Sequence, residues 1–94
     1  MSTVIWLPEA LQDLARLYDF LEEKSATAAR RMAAALAEKA RYLEKFPEAG
    51  RPMGNELAAR ELFVPFGEGA YVLRYKIHKK QAIIIRVWHC RELR

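Results

Sequence analysis

Apolar positions along the chain keep two different rhythms. In the first half, Leu7, Leu11, Leu14, Tyr18 and Leu21 recur at four-three-four-three spacing, with Leu17 and Phe20 widening the stripe. That spacing predicts one face of an amphipathic helix. Asp13, Arg16, Asp19, Glu22 and Glu23 fall mostly on its wet side. Pro8 suits the first turn, and Glu9 complements the helix dipole. Ser25 is the predicted N-cap of a second helix, whose buried stripe runs Ala29, Met32, Ala33, Leu36, Ala40, Leu43 and Phe46. Its many alanines favour helix and let the two helices approach closely. Pro47 stops it, and Gly50-Arg51-Pro52 forms the turn leading out.

The second half changes to short β-prone runs: Arg60 to Val64, Tyr71 to Ile77, and Ala82 to Trp88. Thr3-Val4-Ile5-Trp6 adds a short edge strand. In the middle run Tyr71, Leu73, Tyr75 and Ile77 share one face, while Val72, Arg74, Lys76 and His78 share the other. Strict alternation places Ile83, Ile85 and Val87 together, opposite Ala82, Ile84, Arg86 and Trp88. A hairpin with coincident apolar faces pairs Ile77 near Ile83, leaves Lys79, Lys80 and Gln81 at the tip, and sets Arg74 beside Arg86. The reverse facing would bury Arg86, which is costly without an acidic partner. Two arginines abreast repel, so either an anionic partner or a merely solvated face accounts for them.

The element order is β-α-α-β-β-β. The expected fold is α+β: a helical hairpin packed on one face of a small antiparallel sheet, in a single domain spanning 1–94. The segment from Gly50 to Ala59 is the longest irregular stretch and is expected to be mobile.

Ninety-four residues, 52% of them hydrophobic, suffice for one core. No apolar run approaches the ~20 residues of a membrane span, and the N-terminus lacks the features of a secretory signal. A single cysteine, Cys90, excludes an internal disulfide. Neither it nor the isolated His78 and His89 makes a metal cluster, so no metal or cofactor is expected. These features point to a reducing cytoplasm. The net charge of +4 is uneven: residues 1–50 hold seven Lys/Arg against eight Asp/Glu, and residues 51–94 hold nine against four. The cationic sheet half suits nucleic acid, an acidic protein segment or an acidic enzyme surface.

Taken in order, the segments Ala10-Leu11-Gln12-Asp13-Leu14, Phe46-Pro47-Glu48-Ala49-Gly50-Arg51, Arg60-Glu61-Leu62, Tyr71-Val72-Leu73-Arg74-Tyr75 and Ile84 to His89 resemble the RelE/ParE toxins of bacterial type II toxin–antitoxin pairs. The resemblance implies a cytoplasmic growth inhibitor held silent in a hetero-oligomer with a cognate antitoxin. ParE-like members poison DNA gyrase; RelE-like members cut mRNA on the ribosome. The Phe46-Pro47…Gly50-Arg51 turn and the Trp88-His89-Cys90-Arg91 ending look more like the ParE branch. Against the nuclease branch, Val72 stands after Tyr71 where an arginine is usual, no tyrosine follows Tyr75, and the usual last helix is missing.

The resulting target-binding candidates are Arg60, Arg74, Arg86, Trp88, His89 and Arg91. Arg74 and Arg86 rest on the alternation. Arg60 has a rival role, tying a loop through a carboxylate such as Glu61 or Glu68, and Trp88 can stack on a partner or seal a sheet edge. No residue is assigned as catalytic in a binding-type toxin. A metal-independent nuclease would draw on His89 as acid or base and Arg91 at the phosphate. A non-toxic binding module descended from the family is the third alternative.

Overall fold

The computed structural model describes residues 3–54 and 58–92. Strand β1 (Val4–Trp6) leads into helix α1 (Pro8–Glu22) and helix α2 (Ala26–Lys45), followed by β2 (Arg51–Pro52), β3 (Arg60–Phe66), β4 (Gly69–His78) and β5 (Gln81–His89). The five strands form one sheet in the order β1-β5-β4-β3-β2. β1 pairs with β5 in parallel and the other pairs are antiparallel. The sheet is therefore mixed rather than wholly antiparallel. The chain leaves β1 through both helices and returns by way of three antiparallel strands, and this long connection allows the parallel pairing.

Pro8 opens α1, and the Ser25 hydroxyl caps α2 by accepting the Ala28 N–H at 3.1 Å. Such a cap is worth about 1 kcal/mol. Met32, Leu36 and Leu43 of α2 are fully buried against Leu73, Tyr75, Ile84 and Val87 of the sheet. Each such side chain contributes about 1.5–3 kcal/mol, so packing outweighs capping in fixing the hairpin. The centre of the α1 stripe differs from the expected one. Ala10, Asp13 and Leu17 are its buried residues, while Leu11 and Phe20 are exposed. Phe46 is also exposed, at 53%. It is the C-cap of α2, where the backbone has left helical geometry, so it no longer falls on the helix's stripe and stacks on Tyr42 instead.

Arg51-Pro52, expected in an irregular segment, pairs with Glu61 and Arg60 as β2. Of the segment expected to be mobile, residues 55–57 lie outside the described residues. The β4–β5 turn is tighter than expected: His78 pairs with Gln81, and only Lys79 and Lys80 form the tip, both at positive φ. That is the backbone a two-residue hairpin turn of the I′ type demands.

The main correction concerns β5. Ile77 pairs with Ala82, not Ile83, and the register shifts between Arg74↔Arg86 and Tyr75↔Ile84. Ile85 is the extra residue of a β-bulge, where two residues oppose one and strict alternation fails. Ala82, Ile84 and Val87 are consequently the residues buried in the core, and Ile83 and Ile85 are only half-buried. Arg74 and Arg86 remain register partners because the expected pairing was one residue out before the bulge and correct after it.

Candidate functional site

Three arginines expected to contact the target, Arg60, Arg74 and Arg86, are each held by the protein itself. Arg86 sits on β5 beyond the last β1 pairing, Trp6↔Ile84. Its Nε donates to Asp13 Oδ2 at 2.7 Å and its Nη2 to Asp13 Oδ1 at 3.1 Å, making a bidentate pair with α1. Asp13 Oδ2 also accepts the Val87 N–H at 2.9 Å. The carboxylate therefore satisfies a strand donor where β1 has ended. Burial pushes the Asp13 carboxyl up. The hydrogen bonds from Arg86 and Val87, the Arg86 charge and a weaker bond from Arg16 together outweigh it and hold the carboxyl below its ordinary value. Arg86 is correspondingly pushed up, first by its bond to Asp13. The acidic partner that a turned-in Arg86 requires is thus present, and this guanidinium is not displayed beside that of Arg74.

Arg74 lies across from Glu61 in the β3–β4 register and donates to its Oε2 from Nη2 at 2.8 Å and Nε at 3.2 Å. Its guanidinium also covers the Trp88 ring, 4.7 Å from the centroid. Trp88 is only 8% exposed. Arg51 repeats the arrangement over Phe63 at 5.8 Å. The face away from the helices therefore carries a charged row, Arg51-Glu61-Arg74, leaning over an apolar row, Phe63-Val72-Trp88. Such cation–π contacts are worth about 0.5–2 kcal/mol depending on desolvation.

Arg60 ties a loop, as its alternative role anticipated, though through carbonyls rather than a carboxylate. Its Nη1 donates to the oxygens of Glu48 and Gly50 at 3.1 and 2.8 Å. Tyr75 completes this clamp: its hydroxyl accepts the Gly50 N–H at 2.8 Å and donates to the Pro47 carbonyl at 2.6 Å. The Phe46–Arg51 turn is thereby fixed against the core.

His89 and Arg91 lie apart from that face, on a groove of about 660 Å³ between α1 and the end of β5. Leu17, Phe20, Leu21 and Tyr71 supply its apolar lining, and Arg16, Lys24, Arg91 and Glu92 its charged groups. The His89 ring meets Tyr71 edge-on at 5.0 Å. Its Nδ1 accepts the Arg91 N–H at 3.1 Å. A Cβ on Gly69 would come within 2.8 Å of His89 Nε2, so the absence of a side chain there admits the imidazole. Burial, then the nearby charge of Glu92, pushes the Tyr71 phenol up. Among the described residues, no group of three His, Cys, Asp or Glu could hold a metal ion, and no helix is long and apolar enough to cross a membrane.

The structure thus divides the six candidates into an arginine–tryptophan face, a loop clamp, an edge pair and a groove. Asp13, Arg16 and Glu92 organise these places and were not singled out from sequence, while Glu61, expected as a partner of Arg60, holds Arg74 instead. The only sequence signal for Asp13 is its spacing, three residues after Ala10 and four before Leu17, which puts it on the buried stripe.

The arrangement places internally held cations and an apolar groove of cationic rim on a small α+β scaffold. Its fold is that of a chain in the chromosomal ParDE TA system from P. aeruginosa, at TM-score 0.76 and 21% identity over 95% of this chain and 96% of that one. The family described as ParE toxin of type II toxin–antitoxin system, parDE, matches residues 4–94. Relatives from Caulobacter vibrioides include Toxin RelE1, 35% identical over 98% of this chain and 97% of its own length, and Toxin RelE2, 37% identical over 99% and 100%. The chain belongs to this family and is a type II toxin of the ParE/RelE kind.

Proposed function

We propose that the protein arrests growth in the cytoplasm by binding DNA gyrase, and that a cognate antitoxin keeps it silent. The observation that carries the reading is the occupancy of the cations. Phosphoryl transfer without a metal needs a proton acceptor, a proton donor and a cation at the developing charge, all converging on one open position. Here Arg74 is paired with Glu61, Arg86 with Asp13, and Arg60 with two carbonyls. His89 Nδ1 is engaged in the C-terminal turn and the Tyr71 phenol is buried. A braced surface of that kind suits recognition of a folded partner. In this reading Arg74, Trp88, His89 and Arg91 contact the target, while Arg60 and Arg86 hold the geometry behind them. An acidic antitoxin segment complements the cationic sheet half.

The second reading is ribosome-dependent cleavage of mRNA. The RelE names of the relatives favour it, as does the position of His89 and Arg91 on one groove. Expression of the lone chain, with plasmid topology and message integrity followed together, separates the two. Altered supercoiling with intact messages is expected. Codon-positioned cuts with normal supercoiling establish the nuclease, and unimpaired growth leaves a non-toxic binding module.

A further inference from the structure

The mouth of the α1–β5 groove is spanned by one side chain. Glu92 Oε2 accepts from Arg16 Nη1 at 2.6 Å, and Oε1 accepts the main-chain N–H of His89 at 2.8 Å. The Glu92 N–H donates back to the His89 carbonyl at 2.9 Å, and the Arg91 N–H to His89 Nδ1 at 3.1 Å. A single carboxylate therefore joins α1 to a turn that is otherwise held by bonds to His89 and by the Cys90 N–H donating to the Ala70 carbonyl at 2.9 Å. Among the described residues it is also the one acidic group in a lining that holds Arg16, Lys24 and Arg91 with Leu17, Leu21 and Tyr71.

We infer that Glu92 is a built-in competitor for this groove, occupying Arg16 until an acidic, leucine-rich segment of the antitoxin displaces it. The proposal rests on the reading of the chain as a protein held by an antitoxin, and it is independent of which target the toxin strikes. Charge complementarity selects the occupant: apolar side chains for the floor and carboxylates for a rim with three cations and one internal anion. The exchange is feasible because the Arg16–Glu92 pair is partly exposed, at 46% and 29% of its side chains. Pairs in such surroundings are weak, because solvent screens them and two long side chains must be ordered to form them. When Arg16 passes to the incoming carboxylate, Glu92 loses its hold on α1, and the His89–Arg91 turn keeps its Cys90–Ala70 bond to β4 but loses its link to the helix. Groove occupancy and the placement of these two residues are then coupled, and the coupling acts equally in both directions.

The test uses the full chain and a short synthetic peptide in which leucine alternates with glutamate, with a leucine–glutamine peptide as control. Glu92→Gln keeps an oxygen for the His89 N–H but removes the charge that competes for Arg16. By calorimetry it is expected to bind the glutamate peptide about two- to fivefold more tightly than the parent protein. Arg16→Gln should weaken that binding, and the glutamine peptide should show no gain with E92Q. Amide exchange on the unaltered protein gives an independent readout: saturating glutamate peptide should speed exchange of the His89 N–H. Equal or weaker binding by E92Q, no binding by either protein, or unchanged His89 exchange each overturns the proposal. None of these measurements involves gyrase, so failure to poison that enzyme is read separately.

Discussion

Asp13 of α1 and Arg86 of β5 meet as a bidentate pair, at 2.7 and 3.1 Å, across 73 residues of sequence. Because the same carboxylate takes the Val87 N–H, it does for β5 what a longer β1 would otherwise do. The pair is asymmetric: the Asp13 side chain is 7% exposed and that of Arg86 41%. Loss of the acid therefore strands a strand donor, whereas loss of the arginine leaves the carboxylate with the Val87 N–H and a long bond from Arg16 at 3.4 Å.

Asp13→Ala is accordingly expected to lower stability by about 2–3 kcal/mol, the range for leaving a buried donor and an ionic partner unsatisfied. Asp13→Asn, which keeps an acceptor for Val87, should lose about 1 kcal/mol at neutral pH. The depressed carboxyl sets the sign with acid. Its folded value lies below its unfolded one, so its contribution is complete above about pH 4 and is lost as pH falls through the folded value. The gap between the parent and Asp13→Asn in urea unfolding should therefore narrow below pH ~4. A gap that is constant with pH excludes the charge as its source.

The helices and most of their core partners were legible because burial follows a regular spacing: Met32, Leu36, Ala40 and Leu43 were all identified from the α2 stripe. The bulge at Ile85 was not, since an inserted residue has no periodic signature and moves Ile84 and Val87 onto one face despite their odd separation. Asp13 was obscured by its chemistry. A helix wheel assigns a carboxylate to water unless the distant Arg86 and Val87 are known to reach it. The cationic half of the chain was correctly recognised from composition, but the internal partners of its arginines depend on cross-strand register.

The Tyr75 hydroxyl, bonded to both sides of the Pro47–Gly50 turn, gives a second prediction. Tyr75→Phe should destabilise the protein by about 1–3 kcal/mol, because the buried Gly50 N–H loses its acceptor. Gly50→Ala should destabilise it as well, since a Cβ there meets the Tyr75 ring and hydroxyl at 2.6 Å. The two sites touch, so the combined variant should lose less than the sum of the two. Thermal unfolding of the three variants measures this, and simple additivity argues against the clamp.

Burial of Tyr75 also pushes its phenol up, against the opposing Gly50 bond and Arg60 charge and with a smaller push from Glu48. With the folded value above the unfolded one, this contribution is complete below about pH 10 and is lost as pH rises through the folded value. Ultraviolet titration should show tyrosine ionising late in the folded protein, and Tyr75→Phe should remove part of that late step. An unchanged titration curve in the variant contradicts the assignment.

The Lys79-Lys80 tip holds two side-chain-bearing residues at φ 50° and 67°. Replacing the pair by Asn-Gly, the residues most at ease in this turn, should stabilise the hairpin by about 0.5–1 kcal/mol. The measurement is the shift in thermal midpoint. A fall in midpoint means that the lysines make contacts outweighing their backbone cost.

Arg74 and Arg86, adjacent in register, should part company when each is replaced by alanine. Arg74→Ala removes a partly exposed ion pair and a cation–π cover, a loss of about 1 kcal/mol that leaves the fold standing. Trp88 fluorescence, followed in a Trp6→Phe background, should then shift to the red as water reaches the ring. Arg86→Ala leaves the buried Asp13 carboxylate without its principal partner, and should cost about 2–3 kcal/mol. If Arg74 contacts the target, growth arrest by Arg74→Ala should weaken at unchanged protein level, whereas any weakening in Arg86→Ala should track the fraction unfolded. Growth arrest that survives Arg74→Ala in full, with the expected red shift present, removes this arginine from the target-binding surface.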